Sequence, residues 1–123
     1  MQTAERLEEF RQNWRPTPEK VDLAVKTAIE VAHPSRVFVF GSWARGETTE
    51  SSDLDLAVFF PDDRKAELGE LRNRIRSRLD KIPMSIDLIV SSEGYVSEFL
   101  SSVNSVYYKI VHGGRLVYDN RSR

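Results

Sequence analysis

Apolar positions along the chain change period several times, and each change marks an element. Leu7, Phe10 and Trp14 recur at helical spacing, so residues 3–14 read as a short amphipathic helix. Pro16 and Pro18 break it. Thr17 can cap a second helix with Pro18 in its first turn, and Val21, Val25, Ile29 and Ala32 give that helix an apolar face until Pro34 stops it. "RVFVF" (36–40) is β-branched and aromatic, which predicts a strand, and Gly41 and Gly46 bracket a turn after it. "SDLDLAVFF" (52–60) predicts a second strand, ended by "PDD". Leu68, Leu71, Ile75 and Leu79 return to helical spacing within residues 64–81. "MSIDLIV" (84–90) predicts a third strand, after which Ser92 caps a helical region. From Val96 to Ile110 the pattern suits one long helix or two with a break near Asn104. Gly113 and Gly114 end that region, and "RLVYD" is a last short strand. Helices interleaved with strands imply an α/β or α+β class, with a small mixed sheet flanked by helices.

At 123 residues the chain has room for one domain and one core. With 40% hydrophobic and 30% charged residues, composition is that of a soluble globular protein. Cysteine is absent, which removes disulfides, thiolate metal sites and cysteine nucleophiles, and fits a reducing cytosol. A net charge of −1 supplies no general field for nucleic acid, so no direct nucleic-acid binding is expected. No apolar run reaches the roughly 20 residues needed to span a membrane, and the acidic, polar N-terminus is unlike a signal peptide. A cytoplasmic protein is expected.

The candidate chemistry lies where carboxylates interrupt apolar strands. Alternation sends Leu54, Leu56, Val58 and Phe60 to one face and Asp53 and Asp55 to the other, about 6.6 Å apart along the strand. Aspartate suits strands poorly, and two on one face repel unless a cation or water lies between them. A solvated edge strand is the bland explanation. Three features favour a site: the strand continues as apolar on both faces, a Gly41-Ser42 turn lies just upstream, and the third strand carries its own isolated Asp87. If the two strands are neighbours, Asp53, Asp55 and Asp87 converge, and such an all-oxygen set suits Mg²⁺ or Mn²⁺ and not zinc. Glycine permits close backbone approach at Gly41, backbone N–H groups and the Ser42 hydroxyl can bind phosphate oxygens, and Arg45 can add a charge-assisted contact. Ser52 can orient the strand entry.

The combination Gly41-Ser42-x-x-x-Gly46-x5-Ser52-Asp53-x-Asp55-Leu56, with Asp87 on a later strand, resembles the DNA polymerase β-like nucleotidyltransferase superfamily, and most closely its minimal nucleotidyltransferase (MNT) branch. The matching stretch runs from about Val37 to Val90. The third acid is present, which argues against an inactive copy. The resemblance implies one domain over 1–123, with N-terminal helices in 1–34 and a catalytic core over 36–119. It implies that Asp53 and Asp55 hold two Mg²⁺ ions bridging a nucleoside triphosphate, that Asp87 completes the second site and helps deprotonate an acceptor hydroxyl, and that Gly41 and Ser42 grip the β- and γ-phosphates. Arg45 and Ser52 would support nucleotide binding. The reaction would be in-line transfer of a nucleoside monophosphate, AMP from ATP, with release of pyrophosphate.

Little chain follows the third strand, so acceptor-binding surface is expected from a partner. The MNT resemblance points to an antitoxin whose partner is a helical HEPN-family toxin, with AMP transferred to a toxin tyrosine. Two alternatives belong to other classes: a non-catalytic binding module that neutralises its partner by occlusion, or a transferase acting on a small hydroxylated molecule such as an aminoglycoside. Other residues have plainer expectations. Trp43 reads as packing. Tyr107 and Tyr108 read as core and helix surface, and His33 and His112 as helix C-terminal residues. The arginines from Arg72 to Arg78 read as a solvated helix face.

Overall fold

The computed structural model describes residues 14–47 and 53–121. The expected helix over residues 3–14 lies outside the described residues, apart from Trp14. Helix α1 spans Pro18–Ala32 and starts as its sequence dictates: Thr17 takes an extended conformation and its side chain accepts from the Lys20 amide at 3.2 Å. It ends at His33, which adopts the left-handed conformation with φ 51°. The last carbonyls of the helix are bound from across the fold, because Arg64 Nη1 donates to Ala32 O and His33 O at 2.8 and 3.0 Å.

Strand β1 (Arg36–Phe40) runs straight into a short helix α2 (Gly41–Arg45), so the bracketed turn is one helical turn closed by Gly46 in the left-handed region. Strand β2 covers Leu54–Phe60, and a 3₁₀ segment (Asp62–Glu67) leads into helix α3 (Leu68–Leu79). The expected helix over 64–81 is therefore shorter. Its apolar period begins only at Leu68, and "DDRKAE" has no stripe to bury. Strand β3 is Ile86–Ser92, two residues later than expected. Met84 is tied into a turn by its bond to Ile82 O, and pairing with β2 carries Ser91 and Ser92 into the strand opposite Phe59 and Phe60. Helices α4 (Glu93–Glu98) and α5 (Val106–Gly113) form the two-helix version of the C-terminal region, with Asn104 in the break, and β4 (Arg115–Asp119) follows.

The sheet order is β3-β2-β1-β4. β1 is antiparallel to β2 and β4, whereas β2 and β3 are parallel. A parallel pair needs a crossover, and the 3₁₀ segment and α3 supply it. One core layer joins Leu54, Leu56, Val58 and Phe60 to α1 and α3, through residues such as Ala24, Ala28, Leu71 and Ile75. The other joins Phe38, Ala57 and Phe59 to Val96 of α4 and Ile110 of α5. Tyr107 belongs to this second layer, its hydroxyl 2.6 Å from Ser91 Oγ, and Trp43 packs against the first.

The arginine-rich face of α3 is only partly solvated, contrary to expectation. Arg72 and Arg76 each donate to a carbonyl of β3, Leu88 O at 2.8 Å and Ile86 O at 2.7 Å. They cover hydrogen-bonding groups that an edge strand would leave open. Arg74 pairs with Glu70 in solvent, as expected.

At the end of the sheet where β1 begins, Arg36 is nearly buried and makes a two-pronged contact with Glu93, at 2.7 and 3.1 Å. Its guanidinium lies 5.2 and 5.4 Å from the ring centres of Phe38 and Phe59, and Ser35 Oγ donates to Glu93 Oε2 at 2.7 Å. Removing the arginine strands a poorly hydrated carboxylate. Arg36→Ala is expected to destabilise the fold by about 3 kcal/mol in chemical denaturation. A loss below about 0.5 kcal/mol, the value for an exposed pair, would count against this role.

Candidate active site

The functional side chains gather at the other end of the sheet, where β1 ends and β2 and β3 begin. Parallel pairing sets Asp55 directly beside Asp87, and antiparallel pairing sets Phe40 beside Asp55. Leu54, Leu56, Ile86 and Leu88 are buried in the first core layer, so alternation turns Asp55 and Asp87 to the opposite face, shared with Ala57 and Phe59. Asp53 precedes the first residue of β2 and is exposed, as is Asp87, while Asp55 is half-buried.

Gly41 comes against Asp55. Its φ is +72°, and a Cβ added there would overlap Asp55 Oδ2. Glycine at 41 is thus required twice, by backbone conformation and by contact. Ser42 follows in the first turn of α2, and Arg45 closes that helix with its side chain exposed and paired to Glu47 at 3.1 Å. Ser52 lies outside the described residues.

The carboxyl of Asp55 is raised above its ordinary value, first by burial, then by the charges of Asp87 and Asp53, with a hydrogen bond to Asp87 acting the same way; Arg45 opposes the shift. Asp53, Asp87 and Arg45 therefore all act electrostatically on Asp55. Among the described residues, however, no three His, Cys, Asp or Glu side chains are drawn together closely enough to hold a metal ion. Asp55 and Asp87 are the adjoining pair, and Asp53 stands at the strand entry. The donors present are carboxylate oxygens that repel one another, which fits a hard divalent cation such as Mg²⁺ or Mn²⁺.

Two clefts flank this row of acids. One, of ≈490 Å³, is lined by Asp53, Asp87 and Ser85 together with Trp14, Arg76 and Met84. The other, of ≈510 Å³, lies between α2 and α5 and is lined by Gly41, Arg45, Lys109 and His112 among others. Sequence reading named Gly41 and Arg45 as phosphate-binding residues but not Lys109. A lone lysine on an amphipathic helix carries no signal until the fold sets α5 beside Gly41. No helix among the described residues is long and apolar enough to cross a membrane.

Because the raised Asp55 carboxyl prefers its protonated form in the folded state, it contributes stability at low pH that is lost as pH rises through its folded-state value. In chelator, Asp55→Asn is expected to melt higher than the parent at about pH 8, with the gap closing towards about pH 4. An Asp55→Asn protein that melts lower at pH 8, or a gap independent of pH, would contradict the assigned environment.

The nucleotidyltransferase domain family matches residues 20–112, which take in β1, α2, β2 and β3 and reach into α5. No curated protein matches the chain. Among solved structures, a candidate nucleotidyltransferase from Sulfolobus solfataricus is 24% identical, with 61% of this chain and 78% of that one covered at a TM-score of 0.39. A toxin–antitoxin structure with AMP-PNP is 22% identical, with 80% of this chain and 73% of that one covered at a TM-score of 0.48. The family match covers more than half of the sequence and takes in the Gly41-Ser42 turn, Asp53, Asp55 and Asp87: the chain belongs to the nucleotidyltransferase domain family.

Proposed function

We propose that this protein is a metal-dependent nucleotidyltransferase of the MNT type that transfers AMP from ATP to a hydroxyl, the acceptor being a tyrosine of a partner HEPN-family toxin in the cytoplasm. The observation that carries the proposal is the in-register placement of Asp87 beside Asp55, with Gly41 packed against that same carboxylate. Asp53 and Asp55 would hold the cations together with the triphosphate, and Asp87 would complete the second position. When bound, two Mg²⁺ ions supply Lewis-acid stabilisation of the attacking and leaving oxygens.

The chain's own residues do the rest. Gly41 brings backbone close to the ligand, and Ser42 offers a hydroxyl donor to phosphate oxygens. Arg45 lies near enough to act on the Asp55 charge and offers a cation to the nucleotide. Asp87, exposed at the mouth of the ≈490 Å³ cleft, can accept the proton of an incoming hydroxyl. The acceptor oxygen then forms a bond to the α-phosphorus, the bond from that phosphorus to the bridging oxygen breaks, and pyrophosphate leaves with the electron pair. Asp87 is not needed to bind the nucleotide base, so its replacement should affect chemistry more than affinity.

Exposed Leu23, Val103, Leu116 and Val117 offer apolar contact area to a partner, and so keep open neutralisation by occlusion alone. Incubation with labelled ATP, Mg²⁺ and a HEPN-family partner protein separates the readings. Label is expected on the partner and should be lost with Asp53→Ala plus Asp55→Ala. Asp87→Asn is expected to slow transfer by about 10²–10⁴-fold while ATP still binds. An unlabelled partner in a pair that still binds would end the transferase reading, and protection of cells by the double-alanine variant would favour occlusion.

A further inference from the structure

The cleft between α2 and α5 has a charge and a position that the site so far described does not use. One wall is Phe40, Gly41 and Arg45; the other is α5, with Tyr108, Lys109 and His112. Phe40 pairs in register with Asp55, so the cleft opens beside the acidic row. The end of α5 is held tightly there, because a Cβ added to Gly114 would sit 3.1 Å from Phe40 Cβ. Among the described residues no aspartate or glutamate lines this cleft, although Arg45 pairs with Glu47, which is not one of the lining residues. No ion pair among the described residues engages Lys109 or His112. The exposed His112 ring lies against Tyr108, centroids 4.3 Å apart. The cleft on the other side contains Asp53, Asp80 and Asp87 against Arg76. A polyanion entering this end of the sheet therefore meets cations on one side and mainly carboxylates on the other.

We infer that the cleft between α2 and α5 takes the polyphosphate of the nucleoside triphosphate, with Lys109 as a phosphate-binding residue opposite Arg45 and His112, beside Tyr108, as a second donor. The inference rests on the nucleotide-binding reading above and adds residues of α5 to it. Lysine serves as a mobile point charge for phosphate. Lys109 is exposed and packs into neither core layer, so its replacement leaves the fold intact.

Equilibrium binding of ATP and of AMP, each with Mg²⁺, tests this on the whole chain. Lys109→Ala is expected to weaken ATP about tenfold and to lower the ratio of ATP to AMP affinity, with Lys109→Arg recovering most of the loss. His112→Ala should give a smaller loss of the same kind. Lys81→Ala removes an exposed charge outside both clefts and should change ATP affinity less than about twofold. If the parent binds ATP and Lys109→Ala behaves like Lys81→Ala, the inference is wrong and the nucleotide reading stands. Equal loss for ATP and AMP would overturn the polyphosphate assignment. A parent protein that binds no ATP would overturn both.

Discussion

The in-register parallel pairing of β2 and β3 is the constraint on which the site depends. Leu54, Leu56, Val58 and Phe60 must face α1 and α3, and so must Ile86 and Leu88 of the neighbouring strand. A slip of one residue in either strand would turn its set to the opposite face, against the layer formed with α4 and α5. Each such side chain gains roughly 1.5–3 kcal/mol by burial. Two carboxylates side by side at a half-solvated strand end repel by roughly 1–4 kcal/mol. Burial wins, and Asp55 and Asp87 are held together by residues on the other face of the sheet. The core thus imposes a local cost on Asp55, whose carboxyl is held above its ordinary value first by burial and then by the Asp87 and Asp53 charges. Clustered, unneutralised acids of this kind are characteristic of functional positions.

The two ends of the sheet treat charge in opposite ways. Where β1 begins, Arg36 meets Glu93 with matched hydrogen bonds, a serine and two aromatic rings, so its charge is met within the fold. Where β1 ends, Asp55 finds another acid beside it and only the exposed Arg45 in opposition. Glycine at 41 keeps the space next to that carboxylate free of side chain. The closed end gives rigidity and the open end gives binding capacity. Both are set by the same strand, so the position of the acids relative to α2 is as firm as the sheet itself.

Much of this was legible in the sequence because the signals were local. Strand alternation separated Asp53 and Asp55 from Leu54 and Leu56. Thr17, Pro34 and the Gly113-Gly114 pair marked ends that the fold respects. What was not legible depended on contacts distant in sequence. Arg36 read only as the first residue of a strand, and nothing local indicated that Glu93, 57 residues on, would bury with it. Arg72 and Arg76 looked like Arg74, because the difference lies in which of them reaches the edge of β3. Ser92 read as a helix cap and does stand at the N-cap of α4, though without a side-chain capping bond; what was missed is that Ser91 and Ser92 also close β3, since pairing with Phe59 and Phe60 outweighs their weak strand preference. Lys109 carried no signal at all before α5 was placed.

The acids form a ridge between two spaces of unlike character, and that division bears on how transfer could proceed. In-line displacement at phosphorus needs the entering and leaving oxygens on opposite sides of the reacting atom. The cleft that contains Lys109, His112 and Arg45 lies towards the layer formed with α5, whereas the cleft that contains Asp87 draws Ile82 and Met84 from the layer formed with α1 and α3. On the proposed reading, pyrophosphate departs towards the cationic space while the acceptor arrives past Asp87 from the other. The carboxylate that takes the proton then stands on the acceptor's side and the cations on the leaving group's side. A single cleft lined with both signs of charge would neutralise itself and gain less from a polyanion. The spacing of acids at 53, 55 and 87 matters because strand order turns that spacing into a boundary between these two environments.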